Sequence, residues 1–185
     1  MGALPARFRK PRLLIVGCGD VGQRVASILN AYKSTQAQAL RVLALTSSAD
    51  RIPALRAQGI VPLLGNLDHA PSFQRLAGLA THVLHLAPPP SEGWSDPRTL
   101  ALTRVLRLRS TPSTFIYGST SGVYGDLAGG KAIETLPTAA RTPRALRRVN
   151  AEQAVRFLGR SSVNTSFTRT SILRIPGIYA PNREG

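Results

Sequence analysis

The 185 residues suffice for one domain with a single core and leave no room for a second large one. Apolar residues make up 43% and charged residues 18%, and no apolar run nears the roughly 18 residues of a membrane span, so the expectation is a globular chain with no membrane partner. A single cysteine, Cys18, excludes an intramolecular disulfide. The opening MGALPARFRKPR lacks the apolar stretch of a secretory signal, which makes the cytoplasm the expected location. The formal charge of +15 raises the local concentration of anions, whether nucleic acid, anionic surface or phosphorylated ligand. Of the 24 basic residues only Lys10, Lys33 and Lys131 are lysines, and the arginines are scattered without the interleaved aromatics of single-strand binders. Much of the charge therefore reads as compositional.

In chain order, a basic leader over 1–11 precedes a buried strand at 12–16, a Gly-rich turn, and a helix at 21–29 with apolar residues at Val21, Val25, Ile28 and Leu29. A polar loop at 33–39 leads to a strand at 40–45, and Thr46, Ser47 and Ser48 then stand where a helix cap belongs. The next helix, 49–58, stops at Gly59, and a third strand at 60–64 runs into Gly65, Asn66, Leu67 and Asp68. A short helix at 72–79, a strand at 81–87, and a stiff loop opened by Pro88, Pro89 and Pro90 and carrying Trp94 follow. The remainder reads as helix 97–108, strand 114–117, helix 143–158 and strand 171–175, broken by Pro176 and Gly177. Strands alternating with helices imply parallel pairing through right-handed crossovers. The expected fold is an α/β, doubly wound parallel Rossmann sheet with helices on both faces.

Ligands of such sheets lie beyond the carboxyl ends of the strands, and every candidate motif falls there. Gly17-Cys18-Gly19-Asp20-Val21-Gly22 is a G-x-G-x-x-G between a predicted strand and helix. Gly17 permits the tight turn, Gly19 lets a pyrophosphate approach, and Gly22 lets helix and strand pack closely. The helix start at Asp20 and Val21 offers unpaired N–H groups to phosphates. The second strand ends in Thr46 and Ser47 rather than in an acid. With Arg51 close by, this leaves room for a 2′-phosphate and favours NADP over NAD. Asn66 and Leu67 after the third strand are placed to edge the adenine, and Ala87 and Pro88 after the fourth to pass under the ribose and pyrophosphate. Residues 12–185 thus read as an NAD(P)-binding Rossmann domain.

The segments GCGDVG, GNLD, HLAPPP, FIYGSTSGVYGD, NAEQAV and ILRIPGIYAP occur in that order. In this the chain resembles the extended and atypical short-chain dehydrogenase/reductases, the NAD-dependent epimerase/dehydratase-like proteins, over almost its whole length. The resemblance implies hydride transfer between a nicotinamide and a small carbonyl, carbinol or sugar-nucleotide substrate. It sets Thr120 at the substrate-oxygen hydroxyl, with Ser119 and Ser121 beside it. The tyrosine and lysine it implies, eight and four residues before Glu152, are here Arg144 and Arg148. A guanidinium stays protonated, so Arg144 suits an oxyanion or phosphate but not proton exchange, while Arg148 stands where the nicotinamide ribose is held. Tyr124 reads as a structural residue of the V-Y-G turn, with a substitute proton donor as the alternative role.

The resemblance also implies a substrate subdomain beyond the P-G-I-Y segment, so the C-terminal part is expected to be truncated, with an uncovered edge that favours a homo-oligomer. The rival readings are a non-catalytic NAD(P)-binding sensor and a basic nucleic-acid binder. His85 reads as a satisfied core histidine, His69 and His82 lack metal-ligand spacing, and Cys18 reads as a small buried filler. Trp94 reads as a cover for the cofactor or a loop anchor.

Overall fold

The computed structural model describes residues 11–32, 40–160 and 167–178. The basic leader up to residue 10, the polar loop at 33–39, Tyr179 and the end of the chain lie outside the described residues. The elements are β1 (Arg12–Val16), α1 (Asp20–Tyr32), β2 (Arg41–Thr46), α2 (Ile52–Ala57), β3 (Val61–Leu64), β4 (His82–His85), α3 (Pro97–Leu106), β5 (Thr114–Thr120), α4 (Pro143–Arg160) and β6 (Arg169–Ile175). The strands form one sheet in the order β3-β2-β1-β4-β5-β6, and all of its pairs are parallel.

The central strands are apolar at nearly every position because both of their faces are covered. Alternation along β1 sends Leu14 and Val16 into one core with Leu102, Val105, Leu106, Val155 and Leu158 of α3 and α4. It sends Leu13 and Ile15 into the other, with Ala26 of α1 and Leu55 of α2. Strand β6, at the sheet edge, instead alternates between exposed and half-buried residues over most of its length.

Most boundaries shift by one to three residues from the sequence expectation, and three differences have a local physical reason. The helix expected at 72–79 is a 3-10 helix over Ala70–Leu76, where a proline sits in the first turn and Gly78 follows at positive φ. The helix expected at 49–58 opens as a 3-10 turn, Ala49–Arg51, before α2. Strand β5 runs on from Tyr117 to Thr120 because Gly118, Ser119 and Thr120 pair with Leu173, Arg174 and Ile175 of β6. Small residues with little intrinsic strand preference are held there by the neighbouring strand.

A buried polar chain fastens β4 to α3. Asp96 caps α3, its Oδ1 accepting from the Thr99 N–H at 3.0 Å. The Thr99 hydroxyl donates to Asp96 Oδ2 at 2.7 Å and lies 2.8 Å from His85 Nε2. With the hydroxyl proton already spent on Asp96, His85 Nε2 must carry the proton of that second bond. The Asp96 N–H in turn donates to Asn150 Oδ1 of α4 at 2.8 Å. Burial pushes the His85 pKa down from 6.5 to about 3, with the nearby Arg148 charge adding to the effect.

His85 is therefore neutral when folded and charged when unfolded between these values, and its contribution to stability, full above pH 6.5, is lost as the pH falls towards 3. Urea denaturation should show that lowering the pH from 7 to 4.5 costs the native protein on the order of 2 kcal/mol through this group. His85→Gln, which keeps an N–H for Thr99, should remove that part of the loss. An unchanged pH dependence in the variant would show that His85 is not the titrating group.

Candidate nucleotide site

Strand order reverses between β1 and β4, and the chain leaves both strands at the same place. Val16 O, at the end of β1, accepts from the N–H groups of Leu86 at 2.8 Å and Ala87 at 2.9 Å. Gly17 follows with φ +84°, and a Cβ on it would lie 2.3 Å from the Ala87 nitrogen. Only glycine fits this turn, for backbone conformation and for space. At Gly22 a Cβ would stand 3.1 Å from Ile15 Cγ2, the close helix-to-strand packing that the motif requires. Gly19 has no atom within 4 Å of its absent side chain, so the backbone there is open to a ligand. Its carbonyl accepts from the Gln23 N–H at 2.9 Å, which starts α1. Cys18, between the glycines, is buried, and burial raises its thiol pKa against the opposing effect of Arg51.

On one side of this loop lies a cavity of about 350 Å³, whose walls include Thr46, Ser47, Arg51, Asn66, Leu67, Ala87 and Pro88. Arg51 Nη2 donates to Cys18 O at 2.6 Å, which joins the residues after β2 to the glycine loop. The Thr46 hydroxyl accepts from the Ser48 N–H at 3.3 Å, and Ser48, at the cap position, makes no side-chain cap. The hydroxyls thus shape the loop rather than end the helix, contrary to the capping expectation. Asn66 Oδ1 accepts from the Asp68 N–H at 3.0 Å.

The same cavity holds two residues that the sequence reading left out, Asp68 and Arg98. Arg98 grips the Asp68 carboxylate with Nε and Nη2, each at 2.6 Å, and donates from Nη1 to Pro88 O at 3.2 Å. The hydrogen bond from Arg98 holds the Asp68 pKa below its ordinary value. The loops after β3 and β4 are thereby tied to α3. Asp68 was visible in the GNLD segment, but nothing local in the sequence couples it to an arginine in α3.

On the other side of the loop a second cavity, of about 320 Å³, also touches Gly17 and brings Gly19, Asp20, Val21 and Gly22 together with Ser119, Thr120, Arg144 and Arg148. Ser119 is spent: its hydroxyl donates to the buried Glu152 at 2.7 Å. Thr120 Oγ1 accepts from the Gly122 N–H at 3.3 Å, which leaves its proton for a ligand. Arg148 Nη1 donates to Gly118 O at 2.8 Å and to the Tyr117 hydroxyl at 3.1 Å. Burial pushes the Tyr117 pKa up to about 12, although Arg148 opposes the shift.

Tyr124 does not share this cavity. It is buried with the Arg174 guanidinium 4.7 Å from its ring centre, and it borders a third cavity of about 600 Å³ along with Arg156 and Leu173. Glu152 holds Arg174 in that position through bonds of 3.1 and 2.8 Å. Thr120 and Tyr124 thus border different cavities, and the structure does not bring the phenol to the second cavity as a substitute donor, in keeping with its structural reading. Trp94 is 67% exposed and borders neither cavity beside the glycine loop. Among the described residues no helix is long and apolar enough to cross a membrane.

No family model and no curated protein sequence matches the chain. Solved structures do. A conserved protein of unknown function from Silicibacter pomeroyi is similar at 28% identity and a TM-score of 0.68, over 91% of this chain and 53% of that one. A UDP-glucuronic acid 4-epimerase from Bacillus cereus, in complex with NAD, is similar at 18% identity and a TM-score of 0.70, over 93% and 58%. A short-chain dehydrogenase/reductase superfamily protein from Agrobacterium tumefaciens with bound NAD is similar at 21% identity and a TM-score of 0.66, over 88% and 48%. The fold is that of the short-chain dehydrogenase/reductases and epimerases. The chain spans about half the length of these structures.

The loop geometry separates two of its glycines. Gly17→Ala forces a side chain into left-handed backbone and into Ala87, and should lower stability by at least about 2 kcal/mol in urea denaturation. Gly19→Ala, facing open space, should change stability by less than about 1 kcal/mol. Equal losses at the two positions would contradict this loop conformation.

Proposed function

We propose that the chain binds a nicotinamide dinucleotide across the glycine loop, adenosine in the first cavity and nicotinamide in the second, and acts as an NAD(P)-dependent oxidoreductase or epimerase/dehydratase-like protein. The observation that carries this reading is the pair of cavities meeting at Gly17, at the start of α1 and at the reversal point of the sheet. The residues fit the group: Gly19 leaves the space a pyrophosphate needs, and the first turn of α1 presents N–H groups that have no partner within the helix. The NAD in the similar Bacillus cereus and Agrobacterium tumefaciens structures supports the same assignment.

Thr46 and Ser47 put no carboxylate at the end of β2, Asp68 is neutralised by Arg98, and Arg51 borders the same cavity. These surroundings favour NADP, whose 2′-phosphate brings charge that a carboxylate would repel. Asn66, Leu67, Ala87 and Pro88 frame the adenosine end, and Arg148 borders the cavity that takes the other end. When bound, the nicotinamide supplies hydride exchange with a carbonyl or carbinol carbon. Thr120 donates its free proton in a hydrogen bond to the substrate oxygen and fixes that carbon in the second cavity. The substrate is a small carbonyl or carbinol compound or a sugar nucleotide.

Fluorescence titration with NADPH and NADH tests the reading. Both should bind, NADPH more tightly, and Gly19→Ala should weaken both at least tenfold. Arg51→Ala should weaken NADPH by about tenfold more than NADH, the scale of one charge-assisted contact. No binding of either nucleotide at millimolar concentration would overturn the assignment. Against a panel of aldehydes and ketones, Thr120→Ala should lower kcat/KM on the order of 100-fold, as expected for loss of a donor to the reacting oxygen.

A further inference from the structure

The second cavity carries more positive charge than a dinucleotide reading accounts for. Arg144 and Arg148 lie one turn apart on α4 and both border it. Like charges at this spacing repel on a helix. Among the described residues neither arginine is in an ion pair. Asp20, which also borders the cavity, pairs with Arg24 at 2.9 Å, and the buried Glu152 pairs with Arg174 at 2.8 Å. Arg148 is fixed by Gly118 O and the Tyr117 hydroxyl, whereas Arg144 is exposed at the cavity rim. Leu86 and Ile175 give the cavity an apolar part, and the Thr120 hydroxyl retains a proton to donate.

A guanidinium cannot act as the proton donor of a reaction near neutral pH, but its planar fork matches an oxyanion. We infer that Arg144 and Arg148 form an oxyanion site for the carboxylate or phosphate of the substrate, so that the substrate class is a small organic acid or phosphate ester whose carbon skeleton lies against Leu86 and Ile175. Its place beside a nicotinamide rests on the dinucleotide reading; the anion site itself does not. The same oxyanion chemistry has a second source, the phosphates of the dinucleotide, and the two are separable by competition.

Isothermal titration with inorganic phosphate, with and without saturating NADPH, provides the test. The unmodified chain should bind one phosphate, and Arg144→Gln should raise its Kd at least tenfold. Arg104→Gln, exposed on α3 and outside both cavities beside the glycine loop, should leave the Kd within twofold. Phosphate should still bind with NADPH present. Phosphate binding that is absent, or indifferent to Arg144→Gln, overturns the site, and equal weakening by Arg104→Gln assigns the binding to the general field. Exclusion of phosphate by NADPH assigns the arginines to the cofactor's phosphates instead and overturns the substrate class. Failure of NADPH to bind would overturn the dinucleotide reading alone, because the phosphate arm without nucleotide still tests the arginines.

Discussion

The contact on which the rest of this structure depends is the close approach of Gly17 to the backbone of Ala87. It lets β1 and β4 leave the sheet side by side, with Val16 O serving both Leu86 and Ala87. A side chain at residue 17 would push the two loops apart and break those bonds. The geometry that follows is functional as well as architectural. With the loops pressed together, α1 starts directly above the crossing, and the space at the sheet edge is divided into two cavities that share Gly17. A bipartite ligand with an anionic middle suits that division, because the helix start stands at the joint.

Glu152 plays the corresponding part on the far side. A buried carboxylate is tolerated only when paired and hydrogen-bonded, and this one collects the Ser119 hydroxyl, the Arg174 guanidinium and, at 3.5 Å, Arg156. The cluster joins α4, β5 and β6. It also determines which hydroxyl remains for chemistry: Ser119 is consumed and Thr120 is left, while Arg174 lies over Tyr124, which borders the third cavity. A structural demand in the core thus sets the composition of the site.

Much of this was legible in the sequence. Strands β1 and β2 are buried on both faces, and their unbroken apolar runs mark them, while the glycine spacing states the turn almost by itself. What was hidden has a common cause: the deciding partner comes from a distant part of the chain. Residues 118–120 become strand because β6 lies beside them. Asp68 becomes half of a clamp because Arg98, 30 residues on, reaches it. Tyr124 is placed by an arginine of β6 that itself answers to a glutamate of α4. Local pattern records backbone preference and period, and it does not record which side chain a buried charge will find.

The surplus of arginine takes on a meaning of its own once the carbonyls are considered. Several guanidinium groups bind main-chain oxygens at the carboxyl ends of strands: Arg51 on Cys18 O after β1, Arg75 on Leu64 O at the end of β3, Arg98 on Pro88 O after β4 and Arg148 on Gly118 O in β5. Arg147, buried on α4, does the same for Gly93 O in the loop before α3. Each bond fixes a loop that frames the sheet edge, and each brings a full positive charge there. Asp68 cancels the charge of Arg98, but among the described residues Arg51, Arg75, Arg147 and Arg148 are in no ion pair, and their charge is not cancelled locally. The edge that the topology reserves for a ligand is therefore also the edge where the arginines gather, so the scaffold's own fastening raises the potential felt by an approaching anion.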